Sequence, residues 1–155
     1  MHVFEKYIVA FVRTYLGAFN FAAGVNYFLL VFPQPIPPDT LGHDYMISTI
    51  GMGLFQAAKV TEAVAGLMLL TNRMTPLALI LLFPVTANVF IMNTFNSPLV
   101  HVQVSGARNF AFHVLLFGAY ARYFYGMLRV NAPLAPVWRS SRRPLAKSIG
   151  TAKHG

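Results

Sequence analysis

Apolar residues fill the chain in four blocks, each continuous rather than alternating, and polar breaks between the blocks set their limits. Tyr7 to Phe32 is the first block, and Arg13 is its one charged residue. It ends at Phe32-Pro33-Gln34-Pro35-Ile36-Pro37-Pro38-Asp39, which no helix crosses because repeated prolines remove donors and clash with the preceding turn. The second block runs from Met46 to Leu70 and contains Lys59 and Glu62, and Thr71-Asn72-Arg73 follows as a tight polar turn. The third, Met74 to Phe95, is uncharged, with Pro84 near its middle, and Asn96-Ser97-Pro98 stops it. A mid-span proline is tolerated where a neighbouring helix or hydroxyl satisfies the backbone it disturbs. The fourth runs from about Arg108 to Leu128. At roughly 20 to 25 residues each, these blocks have the length of membrane-spanning helices. Continuous apolar runs exclude a transmembrane β-barrel. Arg13 and the length of the first block argue for an uncleaved span rather than a signal peptide.

Composition sharpens this reading. Of 155 residues, 56% are hydrophobic and 10% charged, with mean hydropathy +0.56, whereas a soluble domain carries ~25% charged residues. Disorder is excluded by the apolar content. The absence of cysteine excludes a disulfide scaffold and a thiol–disulfide oxidoreductase. The net charge of +8 does not imply nucleic-acid binding, because the cations are not spread over a face. Arg129, Arg139, Arg142, Arg143, Lys147 and Lys153 all follow the last apolar block, where a basic tail meets anionic lipid headgroups and fixes topology. The 33–45 loop carries Asp39 and Asp44 and no cation, the 96–107 loop carries no charge, and the 71–73 turn carries Arg73. The expected fold is therefore all-α, an integral membrane four-helix bundle with both termini cytoplasmic. Residues 1–128 form the four-span domain and 129–155 the basic cytoplasmic tail. The expected location is the plasma membrane, meaning the cytoplasmic membrane of a bacterium or archaeon.

Polar groups inside the spans carry the chemistry, since each charge at mid-bilayer costs on the order of 2.5 to 3.5 kcal/mol. Arg13 lies roughly 9 Å into span one and Glu62 roughly 13 Å above the turn at Thr71, counting 1.5 Å per residue. These depths predict an Arg13–Glu62 ion pair, with Lys59 on the same helix face as Glu62. Whether that cluster of Arg13, Lys59 and Glu62 is structural or functional stays open. Asn20, Asn26, Asn88, Asn93, Asn109 and His113 are the candidate lining of a polar pocket between the helices, with Asn20, Lys59 and Asn88 near one depth. Such a pocket would hold a headgroup, an ion or a quinone ring. For the asparagines, interhelical hydrogen bonds of ~0.6 kcal/mol each are the favoured reading.

No resident cofactor or metal is expected. A bundle haem needs two axial ligands on facing helices, and His113 is the one histidine inside a span, with His43 and His101 in loops and His2 and His154 near the ends. The seven methionines are dispersed and read as packing. Gly53, Ala57 and Thr61, spaced by four, are expected to form a close helix-packing stripe.

The stretch Lys59-Val60-Thr61-Glu62-Ala63-Val64-Ala65-Gly66, then Thr71-Asn72-Arg73, then Pro76-Leu77-Ala78-Leu79 through Pro84 and Asn88, resembles the DoxX family of small four-helix membrane proteins. Arg13, Gly17, Gly24, Asn26 and Phe32-Pro33 fit the family's first span, and the resemblance covers roughly residues 8 to 125. It implies a subunit of a quinone-linked membrane oxidoreductase assembly, because the family is named for a small subunit linked to quinone-dependent sulfur oxidation. Some members are tied to oxidative-stress defence. It supplies no catalytic residue. The expected function is thus a non-catalytic or quinone-proximal subunit, with the lipid bilayer and other membrane subunits or further copies of itself as partners. The alternative is a small proton- or cation-coupled transporter or channel that uses Glu62.

Overall fold

The computed structural model describes residues 3–32 and 40–125. The proline-rich stretch after Phe32 and the basic tail lie outside them. The described chain is helical, in the order α1 (Val3–Leu29), α2 (Leu41–Gly51), α3 (Leu54–Leu70), α4 (Thr75–Asn96), α5 (Val100–Ala119) and the single turn α6 (Ala121–Phe124). Two of these, over Phe4–Leu29 and Thr75–Asn96, are long and apolar enough to cross a membrane. The pair α2 and α3 meets the same criterion only when taken together, and it is bent by 92°.

Local chemistry explains most boundaries. Asn26 ends α1: its Nδ2 donates to the Phe32 carbonyl at 3.0 Å and its Oδ1 accepts from the Phe32 amide at 2.7 Å. Leu30, between them, adopts φ 52°. Thr40 caps α2 by accepting from the His43 amide at 3.3 Å, and side-chain caps of this kind satisfy otherwise orphaned N–H groups. The α3–α4 turn is closed by the Arg73 amide donating to the Met68 carbonyl at 3.0 Å, with Asn72 and Met74 at φ 55° and 54°. Pro76 sits in the first turn of α4, where its missing N–H has no helical partner to lose. Gln103 fastens the α4–α5 turn by donating to the Ser97 carbonyl at 2.8 Å.

The bundle is organised around two extensive contacts, α1 on α3 and α4 on α5, joined by α3 on α4. Glycines set the α1–α3 approach. A Cβ on Gly24 would lie 2.5 Å from the Ala63 amide nitrogen, and one on Gly66 would lie 2.5 Å from the Phe21 amide nitrogen. Small residues permit such backbone proximity in apolar surroundings, where dispersion rather than water exclusion drives helix association. Val12, Leu16, Ala65, Leu69, Ala78, Leu79, Leu82 and Leu116 form the buried core. Outward lie Phe4, Phe11, Leu29, Phe95 and many other exposed apolar side chains, a surface that hydrocarbon solvates better than water does.

Three expectations are corrected. The second block is not one helix: Met52 and Gly53 break it, and Gly53 adopts φ 77°, a left-handed conformation that glycine reaches without a Cβ penalty. The fourth block begins earlier, because α5 starts at Val100 and ends at Ala119. The 96–107 loop is accordingly a turn over 97–99, with His101 in the first turn of α5, and His43 lies in α2 rather than in a loop. The Gly53-Ala57-Thr61 stripe is not a close helix contact: Gly53 has open space around it, Ala57 is exposed and Thr61 is half-buried. The close-packing residues are Gly17, Gly24 and Gly66 between α1 and α3, and Gly106 between α5 and α4.

Candidate functional site

The break at Gly53 creates the site. Because α2 folds across the end of the bundle instead of extending α3, the half of the bundle beneath it is not filled. The result is a cavity of about 520 Å³ between α1, α2, α3, α4 and the start of α5. Its wall is largely apolar, built from Phe19, Ala23, Phe55, Ala58, Val85 and Met92 among others. Into it project Asn26 from α1, Tyr45 and Thr49 from α2, and Asn88, Asn93 and Asn96 from α4. A mostly apolar hollow with a few converging amide and hydroxyl groups is the usual form of a small-molecule site.

Lys59 and Glu62 stand in the same wall. The Lys59 Nζ donates to Glu62 Oε2 at 2.7 Å, and the two side chains are 12% and 5% exposed. One turn of helix separates them, so α3 neutralises its own charges within itself. Lys59 also lies over the Phe55 ring, 5.2 Å from its centroid, a position in which the ring face attracts the ammonium. On the opposite wall the Asn88 amide donates to the Tyr45 hydroxyl, which ties α2 to α4.

Arg13 is not part of this cluster. Gly24 packs on Lys59 and Ala63, and Gly17 on Gly66 and Leu70, so Glu62 lies level with the Gly24 end of α1. Arg13 is displaced from that level by about three turns, on the order of 16 Å. Its Nε is buried with no hydrogen-bond partner among the described residues. The depth count fails because it took the two block edges as a common reference level. Glycine packing, not edge position, sets the register between α1 and α3.

The remaining candidates divide. Asn26, Asn88 and Asn93 line the cavity. Asn20 is buried and donates to the Leu16 carbonyl in its own helix at 2.8 Å. Asn109 is buried with Oδ1 unpartnered. His113 is fully buried, with Nε2 3.0 Å from the Leu79 carbonyl. A carbonyl only accepts, so Nε2 carries the proton. The ring packs against Phe83 and Phe117. This contact lies one turn before Pro84 on α4, and it brings a donor to a stretch whose regular hydrogen bonding the proline disturbs. Asn20, Asn109 and His113 thus lie among the helices and not in the cavity wall. Among the described residues no three His, Asp or Glu side chains gather to hold a metal ion.

Sequence reasoning missed Tyr45, Thr49, Phe55 and Asn96. Tyr45 and Thr49 share a helix face at i and i+4, but that face acquires meaning only when α2 is recognised as a separate helix. The class that emerges is a protein whose secondary structure among the described residues is all helical, with helices fit to cross a membrane, and that holds a partly open cavity with an ion pair in its wall. No family model, curated protein or solved structure matches the chain.

Proposed function

We propose that this is an integral membrane protein that holds a small lipid-soluble molecule of the quinone class, as a non-catalytic, quinone-proximal subunit of a membrane oxidoreductase assembly. The observation that supports it is the cavity of about 520 Å³, with apolar walls for a ring and the start of a tail. Asn88, Asn93 and the Lys59 ammonium are donors for carbonyl oxygens. The resemblance of the Lys59–Asn88 stretch to DoxX proteins favours the same reading. The transporter alternative is less well supported, because Glu62 is engaged by Lys59 at 2.7 Å, and a carboxylate neutralised inside its own helix is a poor carrier for a proton or cation. In this proposal the chain forms a four-span bundle in the plasma membrane with both termini cytoplasmic, as the cation bias of its ends and of the Arg73 turn favours.

The test is purification in mild detergent followed by mass spectrometry of the extract and of co-purifying proteins. Quinone retained near one per chain, lost in Asn93→Leu while the folded yield is unchanged, is the expected result. Protein that emerges alone, free of quinone, and fails to take up added decylubiquinone would overturn the proposal.

A further inference from the structure

We infer that α2 is a hinged cover on the cavity, latched by the Tyr45–Asn88 hydrogen bond, and that the ligand enters and leaves by displacing it. The inference rests on the cavity being a ligand site. Three observations carry it. First, α2 turns one face to the cavity, through Gly42, Tyr45, Met46 and Thr49, the i, i+3, i+4, i+7 spacing of a single helix side. Second, α2 is held weakly for its 11 residues: Thr49 is its only buried residue, and its packing on α3 and α4 is slight beside the α1–α3 and α4–α5 contacts. Its serine and threonine hydroxyls are spent internally, Ser48 on the Asp44 carbonyl and Thr49 on the Tyr45 and Met46 carbonyls. Among the described residues, side-chain hydrogen bonds between α2 and the rest of the bundle include Tyr45 with Asn88 and the Gln56 Nε2 donating to the Ile50 carbonyl at 3.3 Å. The second tie sits beside the bend and turns with it.

Third, the joint between α2 and α3 is built to move. Gly53 has φ 77° and no atom within 4 Å of the position its Cβ would take, so no side chain hinders rotation there, and turning has to break only backbone bonds of the joint such as the Gly53 amide to the Ile50 carbonyl at 3.0 Å. Few buried contacts and an unobstructed glycine are the marks of an element drawn from the low-stability end of a fold. Opening α2 breaks one neutral hydrogen bond across the cavity. A carbonyl or hydroxyl oxygen on the entering molecule replaces it by accepting from Asn88.

The natural chain has no cysteine, so paired cysteines report without background. Tyr45→Cys with Met92→Cys removes the latch, keeps Asn88 as the donor to the ligand, and supplies one thiol on α2 and one on α4, both in the cavity wall. A short bifunctional thiosulfonate reagent bridges them and dithiothreitol releases it. With decylubiquinone as the probe, the bridged protein is expected to exchange at least tenfold more slowly than the released protein. Tyr45→Phe is expected to exchange roughly fivefold faster than wild type, the factor that follows from losing one net hydrogen bond. Equal exchange in bridged and released protein overturns the cover while leaving the site intact. Failure of the released and wild-type proteins to bind the probe overturns the site instead. A readout without ligand decides the hinge in either case. Spin labels at the exposed positions Ile47 and Ile91 should give a broad or two-component distance distribution, against a narrow one for Val64 and Ile91. A single narrow distribution for both pairs refutes the hinge.

Discussion

The closest backbone approach in the bundle gives a sign test on one kind of substitution. Replacing Gly66 by alanine adds one methyl group, whose carbon would stand 2.5 Å from the Phe21 amide nitrogen, 2.8 Å from the Gly17 carbonyl oxygen and 2.9 Å from the Phe21 Cα. All three are backbone atoms, so no side chain can rotate away and α1 and α3 must separate. Restoring ordinary contact requires close to 1 Å of displacement, and a gap of that size forfeits a quarter to a half of each dispersion contact across the interface. Overpacking of this type costs about 1 to 3 kcal/mol, and the upper part of that range applies because the α1–α3 contact is the largest in the fold. Gly118→Ala is the control. It lies in α5 with nothing within 4 Å of a new Cβ, so only helix propensity acts, favouring alanine by about 0.5 to 1 kcal/mol. Unfolding titrations in mixed dodecylmaltoside and sodium dodecyl sulfate micelles would give both values. The expected shifts have opposite signs, and a Gly66→Ala variant as stable as wild type would refute the packing argument.

Glu62→Gln leaves the Lys59 ammonium buried without its partner. Loss of one member of a buried pair costs about 3 to 5 kcal/mol, so the monodisperse yield should fall sharply and recover in Lys59→Met/Glu62→Leu. Arg13→Leu combined with Glu62→Gln should be additive, because the two residues do not touch, and a coupling above about 0.5 kcal/mol would contradict the register between α1 and α3. His113→Leu removes the side-chain donor to the Leu79 carbonyl and should cost about 1 to 3 kcal/mol in the same titration; an unchanged midpoint would show that the contact contributes nothing. For topology, a reporter active only outside the cytoplasm should work when fused after Ser97 and fail when fused after Arg139, and activity from the tail fusion would reverse the proposed orientation.

How much of this was legible in the sequence varies along the chain. The third block, bounded by Arg73 and Asn96-Ser97-Pro98, gave α4 to within one residue at each end, because charge absence and turn residues coincide there. The Lys59–Glu62 pair was legible too, since i, i+3 spacing on a helix is local. The break at Met52-Gly53 was not: the apolar run continues through it, and a lone glycine in a helical pattern is as compatible with packing as with a bend. The start of α5 was hidden by His101, Gln103, Ser105 and Arg108, whose polarity reads as loop. Three of the six pocket candidates line the cavity. The other three do not, because depth alone cannot say which way a side chain turns around its helix.

The tight turn over Thr71 to Met74 has a consequence for how the proposed membrane topology would be reached. Lys59 and Glu62 would each oppose insertion of α3 by a few kcal/mol if it were presented alone and extended, and α3 is only 17 residues long. Four residues later comes α4, 22 residues without a charge. In the proposed four-span topology a connection this short would leave the two no independence at the translocation machinery, so they would enter as one helical hairpin. The ion pair would then form within α3 before burial, with α4 bringing in a neighbour whose charges oppose insertion.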